Sequence, residues 1–440
     1  MYRNVINDFA SWFEEKRRRI LIVKGAVGVG KTWAVKDFAT GFFDEQIYIN
    51  VATDTDWQNI FNNKSDNEDL NEPDYKDNII QFDEKLHLQF PSSDLTKNNS
   101  ILIVDGVQSI SDYARFFYEF RKHHKDYTIC LIYEGMNITE YEYHYRDVFN
   151  IIRMRPMSFE EYLIATKSHP LISAIENQKS MPLNSMARDA IAILLKEYLQ
   201  TGGMPAVVKA FIKKKDYNVI RPAQLEILEN YRLLIKSSFQ DAMSDRCRRI
   251  WKSIPEQLKN DNKKFMYRFV EHNARAREYS DAVQNLCNLG IIRKLPRLLD
   301  GALPLEDHVD YKSFELFLID HGLLRAIYDA PVSESLTAEE IFEEFNGAVA
   351  EQYIFEELSN KVGNIYYWIS GATARVPFVY EGENAPIPVD IRFKPNKKAQ
   401  NIKTFCAKNK NTDLSVKLSM QPISREENIL NIPVYGLWNM

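Results

Sequence analysis

A chain of 440 residues is longer than one hydrophobic core usually organises, and at roughly 150 residues per domain about three domains are expected. The 45% hydrophobic, 27% charged and 12% aromatic content excludes a disordered, collagen-like or coiled-coil chain. The formal net charge of −5 conceals an asymmetry, because residues 209–299 carry 20 Lys and Arg against 10 Asp and Glu, a local +10 that leaves −15 elsewhere. A basic stretch of this kind is either a polyanion-binding surface or a solvated or docking face.

In chain order, Val5, Phe9, Trp12 and Phe13 recur at helical spacing and predict an amphipathic helix ending at the basic run Lys16–Arg19. Ile20–Lys24 reads as a buried strand, Trp33–Phe43 as a helix and Ile47–Val51 as a second strand. Residues 62–78, rich in Asn, Asp and Glu with Pro73, predict a surface loop or mobile insertion. Ile101–Val104 and Thr128–Tyr133 are apolar strands separated by a helical stretch from Tyr113 to Lys125. This alternation predicts a parallel sheet covered by helices, in a domain ending near 155.

From Phe159 to about Asp329 the periodicity is mainly helical, with breaks at Gly202-Gly203, Pro205, Pro222, Pro255 and Gly290. Thr337 and Glu340 form a capping box ahead of a helix to about Lys361. Strands are then expected at 365–369, 376–380, 389–393, 415–418 and 434–437, with one helix near 398–408, as in a separate α/β domain. No apolar stretch approaches the roughly 18 residues of a membrane span, and Ile20–Val23 is too short for a signal-peptide core. A cytoplasmic protein without membrane contact is expected. Cys130, Cys247, Cys287 and Cys406 show no CxxC or Cys/His spacing, which points to reduced thiols and no structural metal.

The strongest chemical signal is Gly25-Ala-Val-Gly28-Val-Gly30-Lys31-Thr32. It satisfies GxxxxGK[ST] between an apolar strand and a helix, which is the context the motif requires. Glycines at 25, 28 and 30 let the backbone wrap so that N–H groups face phosphate oxygens, Lys31 offers charge to the β and γ phosphates, and Thr32 offers a ligand to Mg²⁺. Ile101-Leu-Ile-Val-Asp105 supplies an apolar strand ending in a carboxylate for the same metal. The next position, where hydrolytic proteins of this class usually carry Glu to polarise the attacking water, is Gly106. Glu134, at the end of the next strand, is a candidate replacement base, so Lys31, Asp105 and Glu134 form the expected catalytic set.

Beyond these motifs the chain resembles a family of prokaryotic AAA+-like ATPases that join a P-loop domain to a C-terminal domain of unknown function with a restriction-endonuclease-like end. The resemblance is carried by ILIVKGAVGVGKTWAVKDFA, ILIVDGVQS, RPMSFEEYL at 155–163, LQTGGMPAVV at 199–208, SIPEQLKNDNKKF at 253–265, LGIIRK at 289–294 and LIDHGLLRA at 318–326. It implies an α/β P-loop domain over 1–155, a helical lid or linker over 156–220, a winged-helix-like basic domain over 221–330, and a restriction-endonuclease-like α/β tail over 331–440. Relatives tend to place Glu-Val-Asp-Phe and then Glu-Val-Lys in the tail. Here Arg375-Val-Pro377-Phe378 and Asp390-Ile391-Arg392 stand instead. Glu351 and Asp390 remain as carboxylates, but Pro377 cannot ligate a metal and Arg392 is a permanently charged replacement for the lysine, so no nuclease activity is expected.

The resulting expectation is an ATP- and Mg²⁺-binding regulatory ATPase with weak or absent hydrolysis. Its partners would be duplex DNA, through residues 209–299 and particularly Arg246, Arg248, Arg249, Lys252, Arg275 and Arg277, or other proteins. Two other readings are a non-enzymatic binding protein with structural ATP and a small-molecule P-loop kinase. The kinase would need a lid and acceptor site that the middle and tail do not offer. His123-His124 and the Tyr141–Tyr145 cluster read as non-metal features, since neighbouring helical histidines point apart.

Overall fold

The computed structural model describes residues 1–16, 18–62, 75–96, 99–107, 110–137, 146–371, 374–393 and 400–440. The Tyr141–Tyr145 cluster and most of the 62–78 stretch lie outside the described residues. The chain divides into two compact units, Met1–Arg155 with Asn288–Gly290, and Pro156–Cys287 with Ile291–Met440.

The first unit runs α1 (Val5–Phe13), β1 (Ile20–Gly25), α2 (Lys31–Phe42), β2 (Glu45–Asn50), α3 (Thr55–Asn62), α4 (Lys76–Gln89), β3 (Ser100–Val107), α5 (Ile110–His123), β4 (Ile129–Glu134) and β5 (Phe149–Arg153). Its five strands pair in parallel in the order β2-β3-β4-β1-β5. β1 and β3 are buried along their whole length, which is why they read as unbroken apolar runs rather than as alternating ones. On one face Trp57, Phe61, Phe82, Phe116, Phe117 and Phe120 pack together, with Phe82 and Phe120 edge to face at 5.3 Å. The chain is already helical from Lys76, where a loop was expected. α4 buries Ile79, Phe82 and Leu86, and the Asn and Asp residues between them mask this helical spacing.

The second unit carries an eight-stranded mixed sheet in the order β12-β13-β11-β10-β9-β8-β6-β7. Its strands are β6 (Ile292–Leu298), β7 (Val309–Leu318), β8 (Ile365–Ser370), β9 (Ala374–Glu381), β10 (Pro386–Ile391), β11 (Ser415–Ser419), β12 (Ser424–Glu426) and β13 (Ile429–Pro433). Helices fill most of Phe159–Leu258, but the expectation of a mainly helical stretch to Asp329 fails at β6 and β7, an antiparallel pair. In β6 the buried residues are Ile292, Leu295 and Leu298. This spacing of three imitates a helix, and a register shift after Pro296 permits it in a strand. The strand expected at 434–437 is a 3₁₀ turn, Val434–Asn439, directly after β13. A short run of buried apolar residues suits either state. The capping box at Thr337 and Glu340 is formed, and the helix it starts, Ala338–Lys361, is interrupted at Glu344–Gly347. Among the described residues no helix is long and apolar enough to cross a membrane.

Candidate nucleotide site

In a parallel sheet the carboxyl ends of all strands meet along one edge. β1 lies between β4 and β5, and β4 lies between β1 and β3. The loop after β1, Asp105 on β3 and Glu134 on β4 therefore share that edge, and Glu134 is the registered neighbour of Gly25. Gly28 (φ 84°) and Gly30 (φ 94°) take left-handed backbone, which turns the loop into the first residue of α2, Lys31. The loop is also tied from outside. The buried Arg3 guanidinium donates to Val29 O and to Arg155 O, each at 2.6 Å. Sequence reading missed Arg3, since its partners lie 26 and 152 positions away.

Lys31 is 4% exposed, and its Nζ donates to Gly25 O and Ala26 O, both at 2.9 Å. Burial lowers the Lys31 ammonium to about 8, while the nearby Glu134 and Asp105 carboxylates pull it upward. Thr32 Oγ1 donates to Asp105 Oδ2 at 2.7 Å, so the two expected metal ligands are adjacent. A hydroxyl and a carboxylate are the hard oxygen donors Mg²⁺ takes alongside phosphate and water, and this donor set fits the ion. Asp105 Oδ1 accepts the Gly106 N–H at 2.7 Å. Tyr48, absent from the sequence reading, donates its hydroxyl to Asp105 Oδ2 at 2.8 Å. Burial and the hydrogen bond to Asp105 push that phenol up to about 12. Glu134 is solvent exposed.

Gly106 is more than a position that lacks glutamate. Its φ is +77°, and a Cβ there would lie 2.6 Å from Ala52 Cβ and 2.9 Å from both Ala52 N and Asn50 Oδ1. The backbone bulges at this point, and the end of β2 fills the space. Gly106→Glu is therefore expected to lower stability by at least the roughly 1–3 kcal/mol of a strained left-handed residue, without raising ATP turnover. Thermal melting together with a turnover assay checks both halves, and a variant with faster turnover and an unchanged melting temperature would contradict the prediction.

In the second unit the tail carboxylates are closed by arginine. Arg375 donates to Glu315 at 3.0 and 2.7 Å and to Glu351 at 2.9 and 2.8 Å. Lys263, 3% exposed, lies 3.0 Å from Glu351. Arg392 Nε donates to Asp390 at 2.9 Å, and Pro377 is buried on β9. Among the described residues the group of acidic and histidine side chains close enough for a metal is Asp320, His321 and Glu356. His321 Nδ1 meets Glu356 at 2.7 Å and Nε2 meets the Tyr198 carbonyl at 3.1 Å. Burial lowers the imidazole, but the Glu356 carboxylate outweighs it and His321 is raised to about 9; the Tyr198 carbonyl can only accept, so Nε2 carries a proton, and Nδ1 is occupied by Glu356.

This cluster joins three of the sequence motifs. Asp320 accepts the Gly203 N–H at 2.7 Å, Met157 N donates to Gly203 O at 2.7 Å, and Tyr198 OH donates to Met157 O at 2.5 Å. Parts of the basic stretch are already paired, in Arg248–Asp245 at 2.7 Å, Arg249–Glu271 at 2.6 Å and Lys259–Glu256 at 2.5 Å. Arg246, Lys252, Arg275 and Arg277 are exposed, Arg277 with Glu278 3.6 Å away. His124 stacks on Phe120 at 4.2 Å and meets Asp83 at 2.7 Å, a packing role. All four cysteines are free thiols.

Loop, sheet order and carboxylate edge give the first unit the arrangement of a P-loop nucleotide-binding domain. Residues 17–163 match the family model described as an AAA domain, and residues 193–335 match one described as a domain of unknown function, DUF8612. No curated protein matches the chain. Among solved structures, C. elegans PCH-2 is similar at 11% identity and a TM-score of 0.28, over 47% of this chain and 59% of that one. A signal transduction ATPase with numerous domains (STAND) and a tetratricopeptide repeat sensor, from Pyrococcus horikoshii, is similar at 12% identity and a TM-score of 0.27, over 78% of this chain and 44% of that one. Both likenesses are distant, and each spans less than two thirds of the other protein.

Proposed function

We propose that the protein is an Mg-ATP-dependent regulatory ATPase with slow hydrolysis, in which Gly25–Thr32 hold the triphosphate and Thr32 and Asp105 hold the metal. The observation that carries this reading is the buried Lys31 ammonium, folded onto Gly25 O and Ala26 O, next to the Thr32–Asp105 hydrogen bond. A triphosphate in the loop would offer Lys31 anionic oxygens in place of neutral carbonyls, a stronger set of charge-assisted bonds. Mg²⁺, when bound, neutralises charge on the β and γ phosphates. Glu134 stands beside Gly25 on the neighbouring strand and acts on Lys31 electrostatically. It is the carboxylate on this edge able to orient a water once position 106 is closed to side chains.

For the second unit we propose the helical, winged-helix-like and restriction-endonuclease-like parts at 156–220, 221–330 and 331–440. The tail proposal is supported by the order helix, β8, β9, β10, helix, β11 from Ala338 to Ser419. The arginine-closed carboxylates favour a tail that does not cut nucleic acid. Duplex DNA is the proposed polyanion for the exposed Arg246, Lys252, Arg275 and Arg277. The test is steady-state ATP turnover by wild type and Glu134→Gln, with and without duplex DNA at low salt. The expectation is slow wild-type turnover that falls about 10²-fold or more in the variant. An unchanged rate in Glu134→Gln removes the base assignment, and no DNA retention at low ionic strength removes the DNA partner.

A further inference from the structure

We infer that Tyr48 is a positioning residue for Asp105 and that its hydroxyl sets how tightly the site takes its divalent cation. This rests on the reading of Gly25–Thr32 and Asp105 as the Mg-ATP site. β2 runs parallel to β3 with Asn50 registered beside Asp105, so Tyr48, two residues earlier, faces the same side of the sheet. Its hydroxyl reaches Asp105 Oδ2 at 2.8 Å, the oxygen that also accepts Thr32 Oγ1 at 2.7 Å, while Oδ1 accepts the Gly106 N–H at 2.7 Å. A carboxylate offers about four lone-pair directions. Three protein donors fix the plane of Asp105 and leave one direction for a cation or a water bound to it.

The ring is held independently of the hydroxyl. Lys36 follows Thr32 by one turn of α2, and its Nζ stands 3.3 Å from the Tyr48 ring centroid. The tyrosine therefore spans from the P-loop helix to the metal carboxylate, with its ring held by one and its O–H given to the other. Phenylalanine at this position keeps the ring contact and loses only the donor, which separates packing from positioning. Partners that orient metal-binding carboxylates typically contribute about 10- to 100-fold to metal affinity.

The experiment is a titration of Mg²⁺ against full-length wild type and Tyr48→Phe with a fluorescent ATP analogue, alongside nucleotide affinity measured in EDTA. The expected result is a Mg²⁺ midpoint raised by roughly 10-fold or more, with metal-free nucleotide affinity unchanged within about twofold. A loss of packing alone would move both readouts together. A Tyr48→Phe midpoint equal to or below that of wild type overturns the inference, as does wild-type binding that is indifferent to Mg²⁺. Lys31→Ala in the same assay separates the two levels. If it binds the analogue like wild type, the nucleotide-site reading itself fails, whatever Tyr48→Phe does.

Discussion

Lys31→Ala is expected to weaken ATP binding on the order of 100-fold while leaving the nucleotide-free protein as stable as wild type. Hydrogen bonds from a charged donor are worth about 1.5–3 kcal/mol each, and each 1.4 kcal/mol is about tenfold in affinity. In the absence of nucleotide the same ammonium is a cost. Burial lowers it to about 8, and its only described hydrogen bonds are to the carbonyls of Gly25 and Ala26. Alanine removes a desolvated charge there without stranding an opposite one, since Asp105 keeps Thr32, Tyr48 and the Gly106 N–H. Calorimetry gives the affinity, and melting with and without Mg-ATP gives the linked stabilisation, about 2.7 kcal/mol at a ligand concentration 100 times Kd. Wild type should show that ligand-induced rise and the variant should not. Equal affinities would remove the Gly25–Thr32 loop as the phosphate site.

Glu351→Ala is expected to produce the largest loss of stability among single substitutions in the tail, roughly 3–5 kcal/mol, the range for removing one partner of a buried ion pair. Arg375 would keep Glu315, but Lys263, 3% exposed, would lose its salt-bridge partner. Burial works to raise the Glu351 carboxyl, and Arg375 with Lys263 more than offsets it, holding Glu351 at about 2. A carboxyl depressed on folding contributes stability that is present above its unfolded value near 4.5 and lost as pH falls through about 2. Wild type should therefore lose stability across that acid window, and Glu351→Gln should lose less of it, because glutamine does not titrate. Chemical denaturation at neutral pH and at pH 3 checks both statements. Unchanged stability in Glu351→Ala would show that the cluster is not a structural element. Divalent-metal-dependent cleavage of nucleic acid, lost in Asp390→Ala, would show that the tail is an active nuclease.

The sequence by itself determined the P-loop domain and the principal components of its candidate site. Gly25, Gly30, Lys31 and Thr32 are contiguous or nearly so, and the phosphate binding proposed for them requires the local strand-to-helix turn that the flanking residues also encode. Asp105 was legible for a related reason, since a strand buried on both faces is a continuous apolar run and its end is marked by the first charge. Adjacent placement of the strands carrying Asp105 and Glu134 followed from the same class of sheet, and the pairing of β3 with β4 agrees with it.

Only the tertiary structure decided what stands across from these residues. Tyr48 and Arg3 carry no motif, because a hydrogen bond to Asp105 or to Val29 O needs only a donor at the right place, which many spacings supply. Gly106 reads in the sequence as a missing acid. The fold makes it a position where Ala52 and Asn50 leave no room for a side chain. The strand Ile292–Leu298 hid behind a spacing of three, and its state was settled by pairing with Val309–Leu318, a long-range contact that periodicity does not contain. The ion cluster of Arg375 is built from β7, β9, the helix that holds Glu351 and the loop at Lys263. Charge complementarity acts through space, so residues that neutralise one another need share no pattern along the chain.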